Sequence, residues 1–242
     1  MIAVENLTIK LTDKVLLSQV NFAVGKGEFW AILGKNGTGK TTLLHTLAGV
    51  LDYHTGSIKI NAIELNSINY LSRAQHMSLL PQTQEASLDC TVKQAVSYGR
   101  YAWHKTQSSD DEKKINQALD DMELKGLSSQ SIQQLSGGEL RKVEIATILS
   151  QDSQLMLLDE PLNHLDLSFR FKLMQKLKLL SQNKAIIMVT HDIQYVAQYC
   201  SHVMMLCGDN QVIVGEVKKV LTQTNLTKML GIKLPETVLK NL

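Results

Sequence analysis

Cysteine is scarce in this chain of 242 residues, neither sign of charge is in large excess, and no apolar run is long. The three cysteines, Cys90, Cys200 and Cys207, stand at no metal-ligand spacing. An odd number without a framework excludes a disulfide scaffold and suggests reduced thiols in a cytosolic setting. With 25 basic against 23 acidic residues the formal net charge is +2. That balance argues against a nucleic-acid partner and against direct attraction to an anionic membrane surface. Lys172, Lys176 and Lys178 lie among apolar residues and read as a solvated helix face. No apolar stretch reaches the roughly 20 residues that span a bilayer. The opening residues MIAVENLTIK lack the basic and apolar regions of a signal peptide. Any service to a membrane is therefore expected to run through a partner. Repeats, low-complexity tracts and linkers are also missing.

What is present is ample apolar material, 44% of the residues, enough for one large domain or a domain with a subdomain. Alternating or apolar β-rich runs at 2–10, 15–24 and 57–60 predict an N-terminal antiparallel sheet. A buried strand follows over 29–33. A helix is expected from Gly39 to about Gly49. From about Thr83 to Gln154 strand signals vanish. Val92, Ala95, Val96 and Tyr98 predict a short helix, and Ser109 to Glu112 reads as a capping box opening another. This stretch reads as a helical subdomain inserted into an α/β core. From Leu155 a β-α-β-α rhythm resumes, with strands at 155–158 and 185–189 and helices at 169–180 and 193–200. Such a rhythm calls for a parallel sheet covered on both faces. A terminal hairpin is expected around Gly208-Asp209-Asn210, with little sequence after it and no regulatory C-terminal domain.

Gly34 to Thr41 (GKNGTGKT) matches the P-loop pattern after a predicted strand and before a predicted helix. Its glycines let backbone N–H groups wrap a phosphate, Lys40 brings a positive charge to the β- and γ-phosphates, and Thr41 offers a hydroxyl to Mg²⁺. Leu155 to Glu160 (LMLLDE) is an apolar strand ending in two acids, which on a parallel sheet opens onto the ligand crevice. Asp159 is expected in the Mg²⁺ shell and Glu160 beside the attacking water. Taken alone, that segment reads as a core strand reaching solvent; the P-loop in the same chain favours the functional reading. Leu135-Ser136-Gly137-Gly138-Glu139 is in part a capping box, Ser136 with Glu139. A cap needs no paired glycines, each of which costs a helix about 1 kcal/mol relative to alanine. The pair is expected to let a helix N-terminus approach a second anion, the γ-phosphate held by another copy of the chain.

With these residues the chain resembles the nucleotide-binding subunits of ABC transporters over nearly its full length. GKNGTGKTT (Gly34, Asn36, Gly37, Thr38, Gly39, Lys40, Thr41 and Thr42) resembles Walker A, LSGGE the family's own motif and LMLLDEP Walker B. Gln82 in LLPQ resembles the Q-loop glutamine, Leu165-Asp166 the D-loop, and His191 in VTHD the switch histidine. The resemblance implies an α/β P-loop NTPase (RecA-like) core with an N-terminal antiparallel β subdomain, residues 1–82 and 155–242, and an inserted helical subdomain, residues 83–154. It implies ATP and Mg²⁺ as cofactors, bound by the Walker A residues together with Ser136, Gly137, Gly138 and Asp166. Thr41, Gln82 and Asp159 would face the metal. Glu160 would act as base, with His191 at the γ-phosphate and Gln82 sensing metal and water. Implied partners are a second copy arranged head to tail, transmembrane permease subunits and, indirectly, a periplasmic or surface substrate-binding protein. The implied location is peripheral, on the cytoplasmic face of the cell (inner) membrane.

The segments at 73–82 and 91–101, with Gly99-Arg100 followed by Tyr101, are similar to the ATPases of importers for iron–siderophore, haem and cobalamin. An exporter or lipid-trafficking ATPase, and a soluble ABC switch protein, are the alternative readings. Three departures from the family pattern stand out. Leu140-Arg141-Lys142 and Ala146-Thr147 replace the usual residues after LSGGE. His164 replaces a small D-loop residue. Leu11 stands where an aromatic usually stacks on adenine. Leu11→Tyr is therefore expected to tighten ATP binding in a nucleotide titration, and unchanged affinity would rule the missing ring out as a cause of weak binding.

Overall fold

The computed structural model describes residues 1–12, 14–82, 89–103 and 108–232. The chain runs β1 (Ile2–Leu11), β2 (Lys14–Val24), β3 (Phe29–Gly34), α1 (Lys40–Leu47), β4 (Thr55–Ile60), β5 (Ile63–Glu64), α2 (Tyr70–His76), β6 (Met77–Leu80) and α3 (Val92–Ser97). It continues with α4 (Ser109–Asp121), α5 (Gly137–Gln151), β7 (Leu155–Asp159), α6 (Leu167–Ser181), β8 (Ala185–Val189), α7 (Ile193–Tyr199), β9 (His202–Gly208) and β10 (Gln211–Glu216). Two short helices, α8 (Val217–Val220) and α9 (Gln223–Leu230), follow the hairpin where little was expected.

Two sheets form. An antiparallel sheet has the order β2-β1-β4-β5, and a six-stranded sheet has the order β10-β9-β3-β8-β7-β6. In the second, β6, β7, β8, β3 and β9 are parallel neighbours, and only β10 runs antiparallel, on β9. The five residues of β7 and of β8 are all buried, because layers cover both faces. The strand period of two sorts their side chains. Phe29, Ala31, Leu33, Met156, Leu158, Ile186 and Met188 enter the core shared with α3 to α7. Trp30, Ile32, Leu155, Leu157, Ile187 and Val189 enter the core shared with α1 and the antiparallel sheet.

Several boundaries differ from expectation. The start of the helical stretch at Thr83 lies outside the described residues, and a strand and a helix precede it, β6 and α2, that the sequence reading did not register. The first helix begins at Lys40 with Gly39 as its N-cap, because Gly39 has φ +97°, a left-handed conformation outside the helix. The capping box of α4 is Ser108 with Asp111, one residue earlier than expected. Asp111 decides this register: it takes Ser108 N (2.9 Å) and Oγ (2.8 Å) while also facing Arg100 Nε at 2.8 Å in the interior.

Candidate active site

β3 delivers the chain to the turn 35–39, and α1 carries it away. Gly37 (φ +76°) and Gly39 (φ +97°) give the turn its left-handed corners, which residues with a Cβ rarely adopt. Lys40 is buried and folds back over the turn. Its Nζ donates to the carbonyls of Gly34 (2.9 Å) and Lys35 (3.0 Å), using two of its three donors. Burial holds the ammonium below the usual lysine value, against the opposing pull of Glu160 and Asp159.

A cavity of about 300 Å³ opens at the carboxyl ends of β3, β7 and β8. It is lined by Asn36, Gly37, Gly39, Lys40, Thr41, Thr42, Gln82, Asp159, Glu160, Val189 and His191. In open α/β sheets ligands bind in this kind of crevice. Most of the candidate residues thus converge, and Val189 joins them unforeseen. Gly34 and Thr38 are not among the lining residues. A Cβ at Gly34 would come within 2.8 Å of the Leu206 carbonyl, and the Thr38 hydroxyl donates to the Lys35 carbonyl at 2.8 Å.

Asp159 is fully buried, and neither carboxylate oxygen has a hydrogen-bond partner. A dry, unsatisfied carboxylate is costly unless something charged meets it. A hard cation with oxygen ligands would, and the neighbouring Thr41 and Gln82 supply further oxygens, so the donor set fits Mg²⁺. Among the described residues no group of three or more His, Cys, Asp or Glu could hold a metal. Glu160, at φ +46°, is tied by its N–H to the Val189 carbonyl (3.0 Å) at the end of β8. Burial, and then the charge of Asp159, push its carboxyl up to about 7, with Lys40 and Arg141 opposing. A base working near neutral pH needs such a value. His191 Nε2 approaches Glu160 Oε1 to 2.8 Å. The pair is in contact without the alignment of a hydrogen bond, since Oε1 has no hydrogen-bond partner. Burial, then Lys40, lower the imidazole's pKa against the pull of Asp159, so it stays neutral near pH 7.

Ser136, Gly137, Gly138 and Asp166 are not part of this cavity lining. Ser136 and Glu139 close the capping box of α5, and Asp166 caps α6 by accepting Phe169 N at 2.9 Å. The two glycines differ. A Cβ on Gly138 would stand 2.9 Å from the His164 carbonyl, whereas a Cβ on Gly137 would meet nothing within 4 Å. Gly138 therefore has a reason within its own chain that the anion argument overlooked. Gly138→Ala is expected to destabilise the fold by on the order of 1–3 kcal/mol in denaturant titration. Gly137→Ala, with open space for the methyl, should leave stability unchanged or raise it by up to about 1 kcal/mol.

The sequence reading noted Arg141 only as a departure. Arg141 stands four residues before Ile145 and seven before Ile148, on the buried stripe of α5. A cation in register with an apolar stripe is the signal that would have flagged it.

Comparison with known proteins agrees with this fold. A family model described as ABC transporter matches residues 17–163. The petrobactin import ATP-binding protein YclP of Bacillus subtilis (strain 168) is 30% identical over 244 residues, covering 100% of this chain and 97% of that protein. The iron(3+)-hydroxamate import ATP-binding protein FhuC of the same organism is 31% identical over 237 residues, covering 96% and 88%. Among solved structures, a metal-chelate type ABC transporter in an inward-facing conformation aligns at TM-score 0.80 and 30% identity, covering 95% of this chain and 88% of that one. A dimeric ATP-binding cassette with ADP and Pi aligns at TM-score 0.78 and 26% identity, covering 90% and 99%.

Proposed function

Because this chain belongs to the ABC transporter ATP-binding family and is an ATPase, we propose that it energises uptake of a metal chelate, an iron–siderophore, haem or cobalamin, through a transmembrane permease. The observation that carries the import reading is full-length similarity to two ATP-binding proteins named for petrobactin and hydroxamate import. Among the described residues no helix is long and apolar enough to cross a membrane, so membrane work would need a permease partner. The subunit would sit on the cytoplasmic face of the cell membrane. The core, residues 1–82 and 155–242, would carry the nucleotide. The helical part, residues 83–154, where Tyr98 and Tyr101 are exposed, would face the permease.

The P-loop N–H groups and Lys40 would hold the phosphates of ATP. Mg²⁺, held by Thr41, Gln82 and Asp159, would neutralise charge on the β- and γ-oxygens. Glu160 would take the proton of the attacking water. Neutral His191, beside it, would donate to the γ-phosphate. Ser136, Gly137 and Gly138 would meet the nucleotide of a second, head-to-tail copy, and the open space at Gly137 supports that role. Asp166 would border the same interface. ATP binding would favour the closed dimer and hydrolysis would reopen it.

The test is capture of tagged Glu160→Gln protein from native membranes with ATP. A permease with a solute-binding protein supports import. A permease alone points to export. Ribosomal or DNA-repair partners without membrane proteins would end the transport reading while leaving the ATPase intact.

A further inference from the structure

We infer that Arg141 is a positioning residue for hydrolysis, a buried guanidinium that locks the backbone on both sides of Glu160 and in front of Gln82. One of its terminal nitrogens, Nη2, donates to the carbonyls of Asp159 (2.8 Å) and Glu160 (2.9 Å). The other, Nη1, donates to the Pro81 carbonyl (3.0 Å) and pairs with Glu144 at 2.7 Å. The side chain is 3% exposed, and Glu144, one turn along α5, is 10% exposed, so the charge is matched inside the protein. The inference rests on the reading that Glu160 and Gln82 act on bound ATP.

The two carbonyls from Asp159 and Glu160 belong to the two peptide planes that flank the Glu160 Cα. Fixing both planes fixes φ and ψ of that residue, and with them the direction in which its carboxylate leaves the backbone. Glu160 needs such a restraint, because its φ of +46° is left-handed and a non-glycine residue holds it only when its surroundings dictate it. The Pro81 carbonyl belongs to the peptide plane that precedes the Gln82 Cα. A single guanidinium thus sets the orientation of the proposed base relative to the proposed metal-and-water sensor. The planar fork of arginine suits this task, and the single ammonium of lysine does not reproduce it. Arg141 is not among the residues lining the cavity, so it acts on the backbone and not by contact with nucleotide.

The test compares wild type, Arg141→Met and Arg141→Lys by steady-state ATPase kinetics, titration with a fluorescent ATP analogue and thermal unfolding. Arg141→Met is expected to lower kcat by on the order of 10²-fold, as misplacement of catalytic groups does. KM and nucleotide affinity should stay within about 3-fold, because the phosphate loop is untouched. Arg141→Lys, which retains the charge but holds its donors on one nitrogen, should recover part of the rate. Each change is then repeated in a Glu160→Gln background, with hydrolysis measured in single turnover. There the loss caused by Arg141→Met should shrink to less than about 10-fold, and that of Arg141→Lys in proportion, since the base being aligned is gone and only the orientation of Gln82 remains. The same loss in both backgrounds overturns the inference, as does a kcat that falls only as far as nucleotide affinity falls. If Arg141→Met does not fold, the cycle with Arg141→Lys decides by the same criteria. Wild-type turnover in Glu160→Gln alone would remove the base reading and this inference with it, whereas a Glu160→Gln enzyme slowed as expected, with additive Arg141 effects in single turnover, removes only the inference.

Discussion

Glu160→Gln is expected to reduce ATP turnover by on the order of 10²–10⁴-fold, the usual contribution of a positioned general base. The substitution keeps the size of the side chain and removes only its ability to take a proton. Glu160 stands at the mouth of β7 with its carboxyl raised to about 7 by burial and by the charge of Asp159. A carboxylate so placed is uncomfortable as an anion and accepts a proton readily. Nucleotide binding should survive, because the turn 35–39, Lys40, Thr41 and Asp159 are all unchanged. ATP-dependent dimerisation should therefore persist and last longer, since the step that reopens the dimer is blocked. Single-turnover hydrolysis together with size-exclusion chromatography in ATP reads both effects. Hydrolysis at the normal rate would take the base role away from Glu160.

The largest expected effect on stability is that of Arg100→Met. Arg100 and Asp111 form an ion pair at 2.8 Å with side chains 7% and 1% exposed. The guanidinium also donates to the carbonyls of Ser150 (2.9 Å) and Gln151 (3.1 Å) at the end of α5. The Gln151 side chain in turn donates to Ala74 and Met77 carbonyls at the α2–β6 junction. Arg100 thus joins the start of α4 to the end of α5 and, through Gln151, to the sheet edge. Removing one partner of a buried pair costs about 3 kcal/mol or more, because the other charge loses a neutralising neighbour. Denaturant unfolding at pH 7 measures it.

The pH dependence follows from Asp111. Burial alone would raise its carboxyl, but the Ser108 N–H, the Arg100 guanidinium and the Ser108 hydroxyl outweigh it and hold the value down to about 2, against 3.8 ordinarily. A depressed carboxylate contributes stability that is full above the unfolded value and is lost as pH falls through the folded one. The wild type should lose this contribution between about pH 4 and 2. The gap between wild type and Arg100→Met should narrow over the same interval, and a gap independent of pH would assign the effect to packing.

Segments whose identity is local were read correctly from sequence. The turn 35–39 depends on glycines at left-handed positions next to a lysine, and that chemistry lies within eight residues. The apolar runs of β7 and β8 mark fully buried strands wherever they lie in a sheet. By contrast, β6 is four residues long and follows α2 directly, too short for its alternation to register. The shift of the α4 cap from Ser109 to Ser108 was hidden because the deciding partner of Asp111 is Arg100, eleven positions earlier. Gly138 and Gly137 look equivalent as letters, and only the approach of the His164 carbonyl separates them.

By itself, the sequence determined that this protein is an ATPase and which family it belongs to, because those properties reside in residue types at short spacing. The strand order β10-β9-β3-β8-β7-β6 was decided only by the tertiary structure. So were the meeting of the ends of β3, β7 and β8 at one crevice and the grip of Arg141 on three backbone carbonyls. Strand order depends on long-range pairing among similar apolar segments. A carbonyl is the same atom in every residue, so no pattern of letters announces which one a buried arginine will find.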